Sequence, residues 1–247
     1  MQIGDDRGYN FHAGIHGLPL RSGQTRFYCI HDDRLWLPWH RAYLYLFELA
    51  LRDQVPDASL PWWDWASPNS HASGIPEAYA ARYLDGQQEN PLFSAPIPES
   101  ARRDFLEMRG EEAPEETFRN PDPPDQLPDT DFAVRTGLMR LEDLLKLGDF
   151  RDFSRELRLI HNRIHTWVGG AMAEVELAAY DPIFWAHHTM IDRIWRIWQL
   201  DHPGASFDLQ TLGQALEPFP LTVGQLLDVA SLGYEYASFA ASVPGTG

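Results

Sequence analysis

At 247 residues and a formal net charge of −16, the chain is long enough for one sizeable core, and its charge disfavours nucleic acid and anionic membrane surfaces as partners. Its only cysteine, Cys29, excludes an intramolecular disulfide, and no apolar run approaches the ~20 residues of a membrane span. With no apolar signal core at the N-terminus a cytoplasmic home is expected, although secretion with a helper protein is compatible with the same sequence. The heavy aromatic load suits either a well-filled core or a pocket for flat rings, and composition does not choose between them.

In chain order, His12 and His16 come first, four residues apart. Residues 37–53 are predicted as a helix, because Pro38 suits a first helical position and His40, Tyr43, Leu44, Phe47 and Leu51 recur on one face. Leu60–Trp65 follows. Between 66 and about 135, acidic residues and Pro121, Pro123, Pro124 and Pro128 predict mainly surface loop, a solvated face rather than a substrate lid. A helical pattern resumes at Thr136 and stops at Gly148. Asp149 can cap a helix running to about Val168, ended by Gly169 and Gly170. Asp181 and Pro182 open another to about Leu200, apolar nearly all round and therefore buried. With no repeat and no sustained strand alternation, the expected class is mainly α, one domain over 1–247 with long Pro-rich surface loops.

Helical spacing puts His161 and His165 on one face one turn apart, as two ligands of a single ion require. No Glu follows His161, so the helix of a zinc protease is ruled out for want of its general base. His187 and His188 place ionisable groups on a buried helix, where a metal would partner an imidazole. Periodicity does not say which of the two binds. His31 and His40 flank Pro38, a loop ligand beside a helix-start ligand, so that His40 is expected in the first turn. These clusters, with almost no cysteine, point to a nitrogen-rich metal site that favours copper over thiolate-seeking metals.

Two long segments then carry a resemblance. His31-Asp-Asp-Arg-Leu-Trp-Leu-Pro-Trp-His40-Arg-Ala-Tyr-Leu-Tyr-Leu-Phe-Glu48 resembles the copper A signature of tyrosinases and polyphenol oxidases, with Trp36 where Phe is usual. Asp181-Pro-Ile-Phe-Trp-Ala-His-His188-Thr-Met-Ile-Asp192 resembles their copper B signature, and His161–Gly170 and Pro61–Trp65 extend the likeness to most of the chain outside the 66–135 insert. The resemblance implies a helical bundle holding a binuclear copper centre. His16, His31 and His40 would hold copper A, and His161, His165 and His188 copper B, with His12 and His187 in supporting positions. It implies dioxygen as co-substrate, oxidation of o-diphenols or o-aminophenols to o-quinones, and hydroxylation of monophenols. The implied partner is a small phenol, with copper supplied by a delivery protein.

The same resemblance implies a thioether from Cys29 to His31, and an Asn162 that orders a phenol-deprotonating water with a carboxylate, Asp152 or Glu156 being the candidates upstream on its helix. Val175, Phe184 and Thr166 would line the substrate pocket. Gly233-Tyr-Glu-Tyr236 resembles the tyrosine motif that closes the family's catalytic domain, and no C-terminal shielding domain is expected after it. The alternative reading is a hemocyanin-like oxygen carrier built on the same copper pair.

Overall fold

A computed structural model describes residues 6–31, 34–205 and 207–236. Its centre is four helices. α1 (Tyr9–His16) is short, and α2 (Trp36–Arg52) begins two residues before Pro38, so Pro38 falls in the first turn, where its missing N–H costs no hydrogen bond. His40 is therefore the fifth helical residue and lies past the first turn. The longer pair of central helices comes late in the chain and packs against α2.

The insert is more ordered than expected. It holds α3 (Pro68–Ser73), α4 (Glu77–Ala80), a two-stranded antiparallel hairpin of β1 (Tyr83–Leu84) and β2 (Gln88–Glu89), α5 (Glu99–Arg109) and α6 (Asp131–Arg135). The prolines act here as helix starts rather than breakers: Pro68 is the first residue of α3, and Pro76 and Pro98 precede α4 and α5. Predicted helix 136–148 is reduced to α7 (Leu141–Leu144), since Gly137 at φ +100° takes the chain out of any helix.

α8 (Phe150–Val168) and α9 (Pro182–Asp201) match their sequence signals. Asp149 accepts the N–H groups of Arg151 and Asp152, and Asp181 accepts that of Ile183. α9 is buried from Pro182 to Trp195. The aromatic load fills this core, and three of the buried indoles have their donors met, Trp36 by Ser154 Oγ at 2.7 Å, Trp39 by Glu217 O at 2.8 Å and Trp167 by Pro123 O at 3.0 Å, while the Nε1 atoms of Trp65 and Trp195 have no hydrogen-bond partner. Arg119 fastens the insert to the start of α9, donating from Nε to Asp181 Oδ1 at 2.9 Å and from Nη2 to Leu92 O at 2.9 Å. Among the described residues no helix is long and apolar enough to cross a membrane.

Candidate metal centre

α8 brings His161 and His165 to one face, and α9 presents His188 opposite them. The three Nε2 atoms form a near-equilateral triangle: 3.0 Å between His165 and His161, 3.3 Å between His161 and His188, and 3.3 Å between His165 and His188. Neighbouring acceptors set the tautomers of two of the rings, a backbone carbonyl for one and a side-chain amide oxygen for the other. His161 Nδ1 donates to Asn162 Oδ1 at 2.9 Å, and His165 Nδ1 donates to Met172 O at 2.8 Å. Their Nε2 atoms then carry bare lone pairs that face each other and cannot hydrogen-bond together.

A cation resolves that conflict. The corners of such a triangle lie roughly 1.9 Å from its centre, just inside the ~2.0–2.1 Å of a metal–imidazole bond. The three nitrogens would therefore hold one ion at ordinary bond lengths. Burial, followed by the neighbouring imidazoles, holds His161 and His188 well below the ordinary histidine range, and burial brings His165 down to about 4. The rings are thus neutral at neutral pH, the form that binds metal.

His187 belongs to the same cluster of metal-capable groups, but its ring stacks on His161 at 5.2 Å and 20°, and neither of its buried nitrogens has a hydrogen-bond partner. Of the two adjacent histidines, His188 is the one whose Nε2 closes the triangle.

The second cluster gathers His16, Cys29, His31 and His40. His16 ends α1 and donates from Nδ1 to Val175 O at 3.1 Å. His40 donates from Nδ1 to Trp36 O, one turn back on α2, at 2.7 Å. Both Nε2 atoms are left as lone-pair acceptors. Burial lowers His16 and His31 and brings His40 down to about 3. Cys29 Sγ sits among the rings, 3.1 Å from His16 Nε2, 3.6 Å from His40 Nε2, and 3.7 and 3.9 Å from the two nitrogens of His31. Burial pushes its thiol pKa up. The two clusters adjoin, with His31 and His161 at 6.0 Å and His16 and His188 at 6.2 Å between ring centroids.

Other expected site residues are placed less uniformly. Asn162 is exposed and touches the cluster through His161. Asp152 and Glu156 do not reach it: Arg155 binds them at 2.8 and 3.3 Å, and no carboxylate joins either cluster among the described residues. The helical period explains this, because positions nine and five residues before His161 are rotated about 180° and 140° away from it. Thr166 is exposed, its hydroxyl donating to Arg163 O at 3.1 Å. Val175 is 42% exposed beside the clusters. Phe184 is fully buried and packs on His188 at 4.1 Å and His16 at 4.8 Å, so it supports the rings from beneath and does not line an open pocket. His12 lies outside both clusters, against Phe47.

Several contributors have no sequence signature, above all the carbonyls of Met172, Val175 and Trp36. Gly17 is another, required only by the fold: a Cβ there would lie 2.3 Å from Glu176 O. Behind the second cluster, Arg41 Nε meets Asp192 Oδ1 at 2.6 Å, and Tyr234 and Tyr236 each donate to Asp192 Oδ2 at 2.8 Å. A groove of about 1520 Å³ between insert and core, floored by Phe47 and Trp185, includes none of the clustered histidines, so volume is a poor guide to the chemistry.

Residues 6–201 match the family model for the common central domain of tyrosinase, and the chain belongs to the tyrosinase family of type 3 copper proteins. It is 31% identical over 254 residues to hemocyanin 2 of Megathura crenulata, covering 94% of this chain and 7% of that protein. It is 32% identical over 260 residues to a tyrosinase of Podospora anserina, covering 76% of this chain and 44% of that protein. The chain thus spans less than half of either relative. A functional unit of octopus hemocyanin superposes with a TM-score of 0.73 at 27% identity, over 96% of this chain and 61% of that one. Mushroom tyrosinase superposes at 0.74 and 24% identity, over 98% and 84%.

Proposed function

We propose that the chain is a copper-dependent oxidase of small phenols. His16, His31 and His40 would hold one copper, and His161, His165 and His188 the other. The observation that carries this reading is the pair of adjoining imidazole clusters whose neutral rings direct bare Nε2 atoms inward. Bound copper would supply dioxygen binding and the exchange of electrons with a phenol. The chain's own part is to fix the rings: the Trp36, Val175 and Met172 carbonyls and Asn162 Oδ1 hold protons on Nδ1 and leave Nε2 for metal.

A flat ring would approach past Val175, Thr166 and Asn162, which are the exposed residues beside the clusters. o-Diphenols and o-aminophenols are the substrates this reading favours, giving o-quinones or their imines. Monophenol hydroxylation is proposed through Asn162, which would order a water near the incoming hydroxyl. The Cys29–His31 thioether belongs to the same reading: Sγ is almost equidistant from the two ring nitrogens that flank Cε1. Forming Sγ–Cε1 would break S–H and C–H bonds and pass two electrons and two protons to dioxygen. The acidic charge and lone cysteine support small neutral or cationic phenols as partners and a cytoplasmic home, and a copper-delivery protein is proposed as the source of the metal.

The hemocyanin relatives favour a second reading, reversible oxygen carriage. Mixing copper-loaded protein with a catechol under air separates the two. Sustained quinone colour supports the oxidase, whereas reversible oxygenation without quinone would replace it with the carrier.

A further inference from the structure

The strap Glu174–Glu176 touches the last residue of α1 and the turn that follows it. Val175 O accepts the proton of His16 Nδ1 at 3.1 Å, and Glu176 O accepts Leu18 N–H at 3.0 Å. Gly17, between these two bonds, allows the close approach. From the other side the strap is held by Arg109, the last residue of α5. Its Nε lies 3.0 Å from Glu176 Oε1 and its Nη2 3.1 Å from Glu174 Oε2. The Glu176 side chain is only 7% exposed while Arg109 is 47% exposed, so the insert reaches over the strap and closes on a nearly buried carboxylate.

We infer that Arg109 is a positioning residue for the metal centre: its pairing with Glu174 and Glu176 seats the strap against α1, so that Val175 O fixes the His16 tautomer. The strap also carries the exposed Val175 side chain, so the same pairing sets the clearance for an entering ring. An ion pair whose guanidinium is half exposed to water is screened and contributes little to stability. Its effect is in orientation, where losing a partner that orients a ligand typically costs about 10–100-fold in metal affinity. The inference rests on His16 being a copper ligand.

Two measurements on Arg109→Gln, Arg109→Lys and Glu176→Gln test it in the full chain. In metal-free protein, ¹⁵N NMR of the imidazoles should show His16 as a single Nδ1–H tautomer in the parent and as a mixture in Arg109→Gln and Glu176→Gln. In copper-loaded protein, one of the two ions should pass to a chelator about 10–100-fold faster in Arg109→Gln, the other at the parental rate, with Arg109→Lys partly restored. An unchanged His16 tautomer, or both ions leaving faster together, overturns the positioning role. A parent chain that takes up no copper would instead sink the reading of the preceding subsection, and the tautomer measurement would still decide the clamp.

Discussion

The imidazoles of His40 and His188 stack with centroids 4.5 Å apart and planes 16° from parallel. One ring comes from α2 and the other from α9, so the contact joins the two halves of the centre directly. A change in either ring is felt by both clusters.

Metal stoichiometry follows from this arrangement. Copper-loaded protein should contain two ions per chain, and His165→Ala or His188→Ala should abolish oxidation while the helical circular dichroism is kept. His187→Ala should retain copper, because His187 lies behind the His161 ring and outside the Nε2 triangle. Equal copper loss in the His187 and His188 variants would undo that distinction.

The thioether is checked by mass. Copper-matured protein should weigh two hydrogens less than the sequence mass, and Cys29 should resist alkylation after denaturation. A thiol that alkylates fully in matured protein rules the bond out.

Asn162→Ala should lower monophenol turnover by about tenfold or more, within the range typical of a lost proton-transfer group, and leave diphenol turnover near the parental rate. An equal fall in both activities would remove the proton role and leave only the hydrogen bond that orients His161.

The metal-free protein should lose stability in acid. His40 and His165 are brought down to about 3 and about 4 in the folded chain, against about 6.5 when unfolded. Below pH ~6.5 the unfolded state therefore binds more protons. Stability is fully present above that pH and is lost as pH falls towards 4 and then 3, at up to ~1.4 kcal/mol per pH unit for each of the two rings. Urea midpoints of apo protein should drop between pH 7 and pH 4.5, and much less with copper bound at pH 6. A flat midpoint across that window would contradict neutral, buried site histidines.

Gly17→Ala should destabilise the fold by about 1–3 kcal/mol through overpacking against Glu176 O and weaken copper retention with it. Thermal unfolding with parallel copper analysis reads both. An unchanged melting temperature would mean that the strap can withdraw freely.

Much of this centre is legible in the sequence. Asp149 and Asp181 are caps whose side chains act on their own next residues, so α8 and α9 can be read from local chemistry, and the four-residue spacing puts His161 and His165 on one face. The same period turns Asp152 and Glu156 away from His161, and in the structure Arg155 binds both. The insert differs from its expected loop because proline has two local meanings, breaker inside a helix and starter at its edge, and only packing selects between them. The choice between His187 and His188 is likewise beyond local reach, since neighbours on a helix differ by a rotation whose value depends on where α8 lies. The carbonyls of Val175 and Met172 are the extreme case: every residue has one, so sequence marks none as special. What the sequence determined by itself was the set of imidazoles and the helices that carry most of them, because both are local properties. The tertiary structure alone decided which nitrogen faces the metal position, because that depends on backbone acceptors brought from distant parts of the chain.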